Sequence, residues 1–315
     1  MPNKPSRVLS RPIVTPGPGV SNECRSQWRS FILGLAVLIV CFGLPLCRLF
    51  LFVKGDELYS YIILMPFVSL YLIRFSQPAA IPDSDPWRGA GLSLICGGAA
   101  VMAAHLQLVR GGAYLAPVDN LSLTTLAFYL GLLGVACLFL GRETMRATAF
   151  AFGILIFIVP MPAIMRDAIV VFLQYGSTFV AEGLFRMAGT PVLRDDLLFS
   201  LPGTPALEVA PECSGIHSSW ILLITSLLAG YMFLRSPWKR VFLAAAVVPL
   251  ALLRNGFRVF TIGELCVHIG PQMIKSPVHK HGGPLFFVLS LIPFFILLAW
   301  LRRSERRKYF DPTKP

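Results

Sequence analysis

The segment "PECSGIHSSW", Pro211–Trp220, places a cysteine, a glycine and an imidazole directly before a long apolar run. A thiolate is a strong nucleophile, although a free cysteine is mostly protonated near neutral pH. Cys213 precedes a predicted helix, and the dipole at the N-terminus of a helix stabilises an anion. Gly215 permits close approach of an extended substrate to the backbone. The segment therefore predicts a nucleophilic thiol at the start of a helix, with Ser214 and Gly215 beside it for substrate binding.

Two later segments supply the partners that such a thiol needs. Arg258 lies in "VVPLALLRNGFRVF", and its guanidinium cannot lose its proton, so it suits a fixed positive charge for a thiolate or an oxyanion. His279 lies in "HKHGG", and an imidazole takes up and returns a proton near neutral pH. His281 is an alternative acid and base because it lies only two residues further on.

Composition indicates the environment of these residues. The chain has 315 residues, of which 55% are hydrophobic and only 14% are charged, whereas soluble domains carry about 25% charged residues. A span needs about 20 apolar residues. We therefore predict an all-α polytopic membrane protein with about eight transmembrane helices, at roughly 31–50, 58–73, 89–109, 121–140, 148–164, 218–234, 241–257 and 284–301.

Helix rise places the three candidate residues at one depth. Cys213 lies roughly 30 Å before the end of the sixth predicted span, and Arg258 lies about 26 Å after the start of the seventh. His279 lies just before the start of the eighth predicted span, outside the membrane. All three are therefore expected at the same face of the membrane, although spacing does not show whether they meet.

The distribution of basic residues predicts which side of the membrane each connecting segment occupies. The formal net charge is +12, and most of the 28 Lys and Arg residues fall in short segments that share one side. The positive-inside rule then places both termini in the cytoplasm of a bacterial cell and the candidate site on the extracytoplasmic face of the inner membrane. We expect a disordered basic tail over 1–28, a single catalytic domain over 29–303 and a second basic tail over 304–315.

Two segments between the predicted spans differ from the rest. Met165–Gly189 is helical in pattern but carries four charged residues, and a span here would move the basic "RSPWKR" loop to the outside. An interfacial amphipathic helix on the outer surface is therefore favoured. The following stretch, "TPVLRDDLLFSLPGTPALEVAPE", alternates and turns as a short outer loop with strand character.

Other interpretations of the same residues remain open at this point. A single cysteine at a helix start is more often structural than reactive. The "HKH" triplet with Cys213 or His217 could bind zinc, although that pattern is weak and lacks a specified fourth ligand. The seven cysteines form no CxxC pair, and the basic residues do not alternate with stacking aromatics. We expect neither a metal nor a cofactor, and no nucleic acid partner.

The segments together resemble the exosortase/archaeosortase family. "LEVAPECSGIHSSW" is similar to the segment around that family's catalytic cysteine, and "VVPLALLRNGFRVF" to its N-x-x-R segment with Asn255 and Arg258. "HKHGG" is similar to its H-x-x-x-G element, with His279 and Gly283. Supporting stretches are "FIVPMPAIMRDAIVVFLQ" and "GTPVLRDDLLFSLPG". A fainter one is "DELYSYIILMPFVSLYLI", where the family often has a histidine and this chain has Tyr61, and the resemblance covers roughly 58–301.

The resemblance implies a membrane cysteine transpeptidase. Its substrates would be exported proteins that end in a recognition motif, a transmembrane helix and a basic tail. Cys213 would attack the scissile carbonyl, His279 would act as acid and base, and Arg258 would stabilise charge. Asn255 would orient Arg258 or the substrate, and an acceptor nucleophile would resolve the thioacyl enzyme. No metal is required.

Two other classes compete with this interpretation. A transporter needs charged groups inside the membrane, and the predicted spans hold few. A non-catalytic factor for export of envelope protein or exopolysaccharide would not need the thiol. A membrane serine protease is less favoured because no GxSxG motif is present.

Overall fold

The computed structural model describes residues 18–76, 85–275 and 283–309, which form helices and one small sheet. They fall into two compact units, Met1–Met161 and Pro162–Pro315. The first unit contains α1 (Pro18–Cys41), α2 (Gly43–Gly55), α3 (Met65–Ser76), α4 (Arg88–Arg110), α5 (Pro117–Phe139) and α6 (Arg142–Ile154). Short 3₁₀ segments, Glu57–Leu64 and Leu155–Ile158, precede α3 and follow α6.

The second unit contains all the described candidate residues. Its helices are α7 (Ala163–Ala188), α8 (Ile216–Phe233), α9 (Pro237–Ala245), α10 (Val247–His268) and α11 (Gly283–Tyr309). Its strands are β1 (Leu193–Asp195), β2 (Leu198–Ser200) and β3 (Leu207–Glu208), and 3₁₀ segments occur at Pro211–Cys213 and Pro271–Lys275. A single catalytic domain over 29–303 stays a prediction.

Seven helical segments of the described chain are long and apolar enough to cross a membrane. An eighth crossing results if α1 and α2, which meet at a bend of 72°, form one broken span. This number agrees with the predicted eight, so the chain is a multi-pass membrane protein. The seven segments are Glu57–Phe75, Arg88–Arg110, Pro117–Phe139, Ala163–Ala188, Pro211–Phe233, Pro237–His268 and Gly283–Glu305.

One of the predicted membrane crossings is made by a different helix in the structure. The expected fifth span, 148–164, is split between the 13-residue α6, a 3₁₀ segment and the start of α7. The expected surface helix is α7, whose 26 residues meet the criteria for a span. Its charged residues lie near its two ends and leave 168–181 free of charge. Because one crossing replaces another, the side assigned to Cys213 is unchanged.

The chain ends also differ from the expected tails. Helix α1 begins at Pro18, so part of the predicted disordered tail over 1–28 is helical. Helix α11 continues to Tyr309, beyond the predicted boundary at 304. Residues 1–17 and 310–315 lie outside the described part of the chain.

Close packing of α4 on α5 organises the first unit. A Cβ added at Gly91 would lie 3.0 Å from the Gly134 carbonyl oxygen, and one added at Gly98 would lie 2.9 Å from the Ala127 carbonyl oxygen. Small residues let helix backbones approach in this way, which is how membrane helices gain packing energy. At the other end of the pair, His105 Nε2 and Asn120 Oδ1 lie 3.0 Å apart.

The small sheet of the second unit is antiparallel, in the order β1-β2-β3. Leu193 pairs with Ser200, and Phe199 pairs with Leu207. Alternation puts Phe199 and Leu207 on the buried face, in one core with residues of α7 and α10. That core contains Ala181, Phe185, Phe199, Leu201, Leu207, Val209, Val259, Ile262 and Cys266. The strand character predicted for this loop is therefore confirmed, and the sheet fixes the chain just before the cysteine turn.

Contacts between α8, α9 and α11 close the opposite end of the second unit. Glu305 on α11 accepts hydrogen bonds from the backbone amides of Arg235 and Ser236, at 3.0 and 2.9 Å. Lys239 on α9 donates to the Leu301 carbonyl at 3.2 Å. These bonds satisfy amides at the start of α9 and a carbonyl of α11, so the helices that carry the candidate site are anchored at this end.

Helices α7 and α10 pack closely at Gly256, and this contact predicts a measurable cost for one methyl group. A Cβ at Gly256 would lie 2.6 Å from Val180 Cβ and 3.0 Å from the Ser177 carbonyl oxygen. We expect Gly256→Ala to lower the free energy of unfolding by about 1–3 kcal/mol because the backbones must separate. Thermal unfolding of the purified protein in detergent measures this change.

Gly183 on α7 is the matched control, since a Cβ there meets none of the described residues within 4 Å. Gly183→Ala should raise stability by about 0.5–1 kcal/mol through helix propensity alone. Equal midpoints for the two variants would contradict the proposed close contact.

Candidate active site

Cys213 ends a single 3₁₀ turn that leads into α8. Its amide donates to the Ala210 carbonyl at 2.8 Å, and the Ser214 amide donates to the Pro211 carbonyl at 3.1 Å. Gly215 then adopts φ +74°, in the left-handed region that favours glycine, and α8 begins at the next residue. The thiol is free and partly accessible, so the sequence folds here into a tight turn that presents Cys213 at the start of the helix.

The backbone before the turn is held by α7. Gln174 is a buried residue of α7, and its Nε2 donates to the Val209 carbonyl at 2.7 Å. Val209 itself is buried in the core beneath the sheet, and its amide donates to the Leu197 carbonyl at 3.0 Å. The backbone just before the cysteine turn is therefore held through both the amide and the carbonyl of Val209.

The carbonyl of Gly215 is the main acceptor of the turn. It accepts from the Ser219 amide at 3.0 Å and from the hydroxyls of Ser218 and Ser219 at 3.1 and 2.8 Å. A fourth donor is Nη2 of Arg254 on α10, at 3.0 Å. This oxygen therefore joins the cysteine turn, the first turn of α8 and the facing surface of α10.

Cys213 and Arg258 line the same narrow cleft, whose cavity volume is only about 10 Å³. Burial of the thiol disfavours its anion most strongly, the charge of Arg258 favours the anion, and the carboxylate of Glu212 disfavours it. The other lining residues come from β3 and α10 and are Leu207, Glu208, Val209, Val259 and Ile262. The structure thus brings together two of the three residues that the sequence singled out for chemistry.

The three residues predicted to bind substrate are placed differently from one another. Ser214 is fully buried, and its Oγ has no hydrogen-bond partner in the described part of the chain. Asn255 is also buried, and its Nδ2 donates to Ser177 Oγ on α7 at 3.0 Å. Gly215 contacts both arginine and amide side chains of α10. Their roles toward a substrate stay predictions.

The imidazoles predicted as acid and base lie outside the described residues. His279 and His281 fall in the segment 276–282, between the 3₁₀ turn after α10 and the start of α11. Both flanking elements belong to the second unit, which also carries Cys213 and Arg258. Their choice as proton carriers stays a prediction.

Sequence reasoning missed Arg254. It lies four residues before Arg258 in "RNGFR", so one turn of α10 places both guanidiniums on one face. Arg254 is only 8% exposed and donates to Gly215 and Ser219. The spacing of the two arginines was a readable signal, but it did not show that the first of them reaches the cysteine turn.

A comparison with known families decides the identity of the chain. The family model described as Transmembrane exosortase (Exosortase_EpsH) matches residues 53–296, which include the cysteine turn, the arginine face of α10 and most of α11. The chain belongs to the transmembrane exosortase family. No curated protein and no solved structure matched the chain.

Family membership indicates a general activity for this protein. Exosortases are known as a cysteine transpeptidase family, so membership implies a membrane enzyme that processes sorting signals. It also implies substrates with C-terminal sorting signals. Both the free thiol at the start of α8 and the guanidinium in the same cleft lie within the residues that match this family.

The packing of Gly215 predicts that a methyl group there alters the thiol. A Cβ at Gly215 would lie 2.8 Å from Arg254 Nη2 and 3.2 Å from Asn255 Oδ1, in addition to the strain of its positive φ. We expect Gly215→Ala to change the alkylation rate of Cys213 by iodoacetamide severalfold, because the turn must move away from α10. The rate is measured by mass spectrometry in a variant that lacks the other cysteines.

Gly203 is the control, with φ +69° and no neighbour among the described residues within 4 Å of an added Cβ. Gly203→Ala carries the same backbone strain, about 1–2 kcal/mol, and should leave the rate unchanged. A similar change in both variants would show that strain alone, and not contact with α10, controls the thiol.

Proposed function

We propose that this exosortase is a cysteine transpeptidase that cleaves the C-terminal sorting signal of exported proteins and transfers them to an acceptor. One observation carries the proposal: in a chain of this family, Cys213 and Arg258 line one cleft at the start of α8. The helix N-terminus and the guanidinium of Arg258 both favour a thiolate and oppose the cost of burying the thiol.

The proposed reaction proceeds through a thioester. The sulfur of Cys213 attacks the scissile carbonyl carbon, and the carbonyl electrons move to oxygen to give a tetrahedral oxyanion. The oxyanion collapses, the C–N bond breaks, and the departing amine takes a proton from an acid. An acceptor nucleophile, or water, then attacks the thioester carbonyl, the C–S bond breaks, and the thiolate of Cys213 departs as the leaving group.

Arg258 supplies the fixed charge in these steps. Its guanidinium stays protonated throughout and opposes the negative charge, first on sulfur and then on the substrate oxygen. Donors that favour an oxyanion over the ground-state carbonyl lower the barrier, so this residue is assigned to transition-state stabilisation. Asn255 is assigned a positioning role, since its amide is engaged with Ser177 on α7.

His279 is assigned as the acid and base, with His281 as the alternative. An imidazole can donate the proton that the departing amine takes up and accept the proton of the incoming nucleophile. The segment that carries both histidines follows α10, the helix that bears Arg254 and Arg258, and leads to α11. This connection supports the assignment to the same end of the unit as Cys213.

The proposal also includes an orientation. With both termini in the cytoplasm, the small sheet and the cysteine turn lie on the extracytoplasmic face, where an exported substrate emerges from the membrane. The substrates are then membrane-held proteins with a recognition motif, a transmembrane helix and a basic tail. The location of the cleft before an apolar span supports this arrangement, because a helix-anchored substrate presents its scissile bond at that depth.

The first prediction concerns the nucleophile. Cys213→Ala should abolish processing of a secreted reporter that carries a sorting signal from the same genome, because no thioester forms. Cys137→Ala is the control, as that cysteine is buried in α5 of the other unit. Immunoblotting of the reporter measures loss of its C-terminal helix. Equal processing by both variants would overturn the mechanism.

The second prediction concerns orientation. In a variant without native cysteines, Ala206→Cys, an exposed position just before β3, should react with a membrane-impermeant maleimide in intact cells. Arg303→Cys, exposed near the end of α11, should react only after the cells are permeabilised. The reverse pattern would place the cysteine turn in the cytoplasm and exclude exported substrates.

A further inference from the structure

Arg254 is the buried cation that the mechanism above does not use. It lies on α10, one turn before Arg258, and is 8% exposed. Its Nη2 donates to the Gly215 carbonyl at 3.0 Å and to Ser219 Oγ at 2.9 Å. Both acceptors are neutral, so neither offsets the charge of the guanidinium.

The surroundings of Arg254 make its charge costly. In the described chain no carboxylate forms an ion pair with it, and its Nη1 has no hydrogen-bond partner there. It sits at the N-terminus of α8, where the helix dipole is already positive, and close to a second arginine. A buried cation in such a place lowers the stability of the fold, so its presence here indicates a function.

The geometry of its contacts suggests that function. The two acceptors belong to the cysteine turn and to the first turn of α8, and the donor belongs to the helix that carries Arg258. A planar guanidinium holds two acceptors in a fixed relation, which a flexible ammonium does not. Gly215 has no side chain, and a Cβ there would lie 2.8 Å from Nη2, so the turn is shaped for this contact.

We propose that Arg254 is a positioning residue for the nucleophile: it ties the Gly215 carbonyl and the start of α8 to α10, so that Cys213 is held facing Arg258. The proposal rests on the proposed function for the role of Cys213, but it concerns the alignment of the thiol and not the substrate. Arg254 acts through the turn, since its hydrogen bonds go to Gly215 and Ser219 and not to the thiol.

The alternative is that Arg254 only stabilises the fold. A purely structural bond would lower the unfolding temperature when removed but would leave the thiol of the folded protein unchanged. A positioning residue alters the thiol itself, because the benefit of Arg258 to a thiolate depends on the distance between them. The pH dependence of alkylation separates the two roles.

The experiment uses the full chain with Cys213 as its only cysteine, purified in detergent. Iodoacetamide reacts with the thiolate, forming an S–C bond and releasing iodide, and mass spectrometry follows the rate between about pH 6 and 10. We expect Arg254→Gln to shift the midpoint of the profile upward by about one pH unit, a rate loss of roughly tenfold at neutral pH. Arg254→Lys should recover part of that loss, since it can still reach one acceptor.

The same surroundings are present in every variant. Four other charged or titratable side chains lie near the thiol within the described residues. They belong to β3, the cysteine turn, the first turn of α8 and the facing part of α10, and are Glu208, Glu212, His217 and Arg258. None of these is changed, so a shift between variants reports Arg254. Arg240→Gln is the control, because Arg240 donates to the Leu234 carbonyl at the other end of α8 and should leave the profile unchanged.

The outcomes decide between the roles. An unchanged profile in folded Arg254→Gln, with only a lower unfolding temperature, overturns the proposal. If Arg254→Gln does not fold, Ser219→Ala removes one of the two acceptors and should shift the profile in the same direction; no shift in that variant also overturns it. The assay needs no sorting substrate, so a shifted profile beside normal processing by Cys213→Ala would refute the proposed function and leave the positioning role standing.

Discussion

The site depends on one oxygen atom, the carbonyl of Gly215. Two hydroxyls, one amide and one guanidinium converge on it and join the cysteine turn to α8 and α10. A carbonyl has two lone pairs, so four donors at 2.8–3.1 Å make it a crowded acceptor at which the backbone has little freedom to move. Because Cys213 lies two residues earlier in the same turn, the position of the thiol follows from this junction. The left-handed backbone at Gly215 and the absence of a side chain there are its structural requirements.

The positive potential at this junction lowers the stability of the second unit. Two arginines on one face of α10 lie near the N-terminus of α8, and both guanidiniums are removed from bulk water to a large extent. Such an arrangement is unfavourable until a negative charge appears, as it does on a thiolate or an oxyanion. Close packing elsewhere offsets the cost, through the core beneath the sheet and the contact of α7 with α10 at Gly256. Strained or costly groups concentrated at one place are typical of functional sites.

Much of this architecture could be predicted from the sequence. Low charge and long apolar runs predicted the multi-pass fold, and helix rise predicted that Cys213 and Arg258 lie at a common depth. The alternation of apolar and polar residues over 190–212 predicted short β-strands. The prediction for α7 differed because its charges were counted without their positions, and those charges lie near the helix ends, where they can reach the membrane surface.

Lateral contacts were beyond the reach of the sequence. Nothing in the spacing of "RNGFR" states that Arg254 turns toward Gly215 while Asn255 turns toward Ser177, because that choice depends on how α7 and α8 pack around α10. The burial of Ser214 has the same origin. Segment patterns give periodicity and depth, whereas rotation of one helix against another is decided by steric fit at a few small residues.

The proposed mechanism requires that Cys213 forms a covalent acyl intermediate. The most direct measurement is to incubate the purified protein with a synthetic peptide that spans a sorting signal, quench with acid, and map adducts by peptide mass spectrometry. We expect to find the mass of the acyl fragment on the peptide containing Cys213 and to see it released by hydroxylamine. Processing of the substrate with no adduct at Cys213, or with an adduct on another residue, would contradict it.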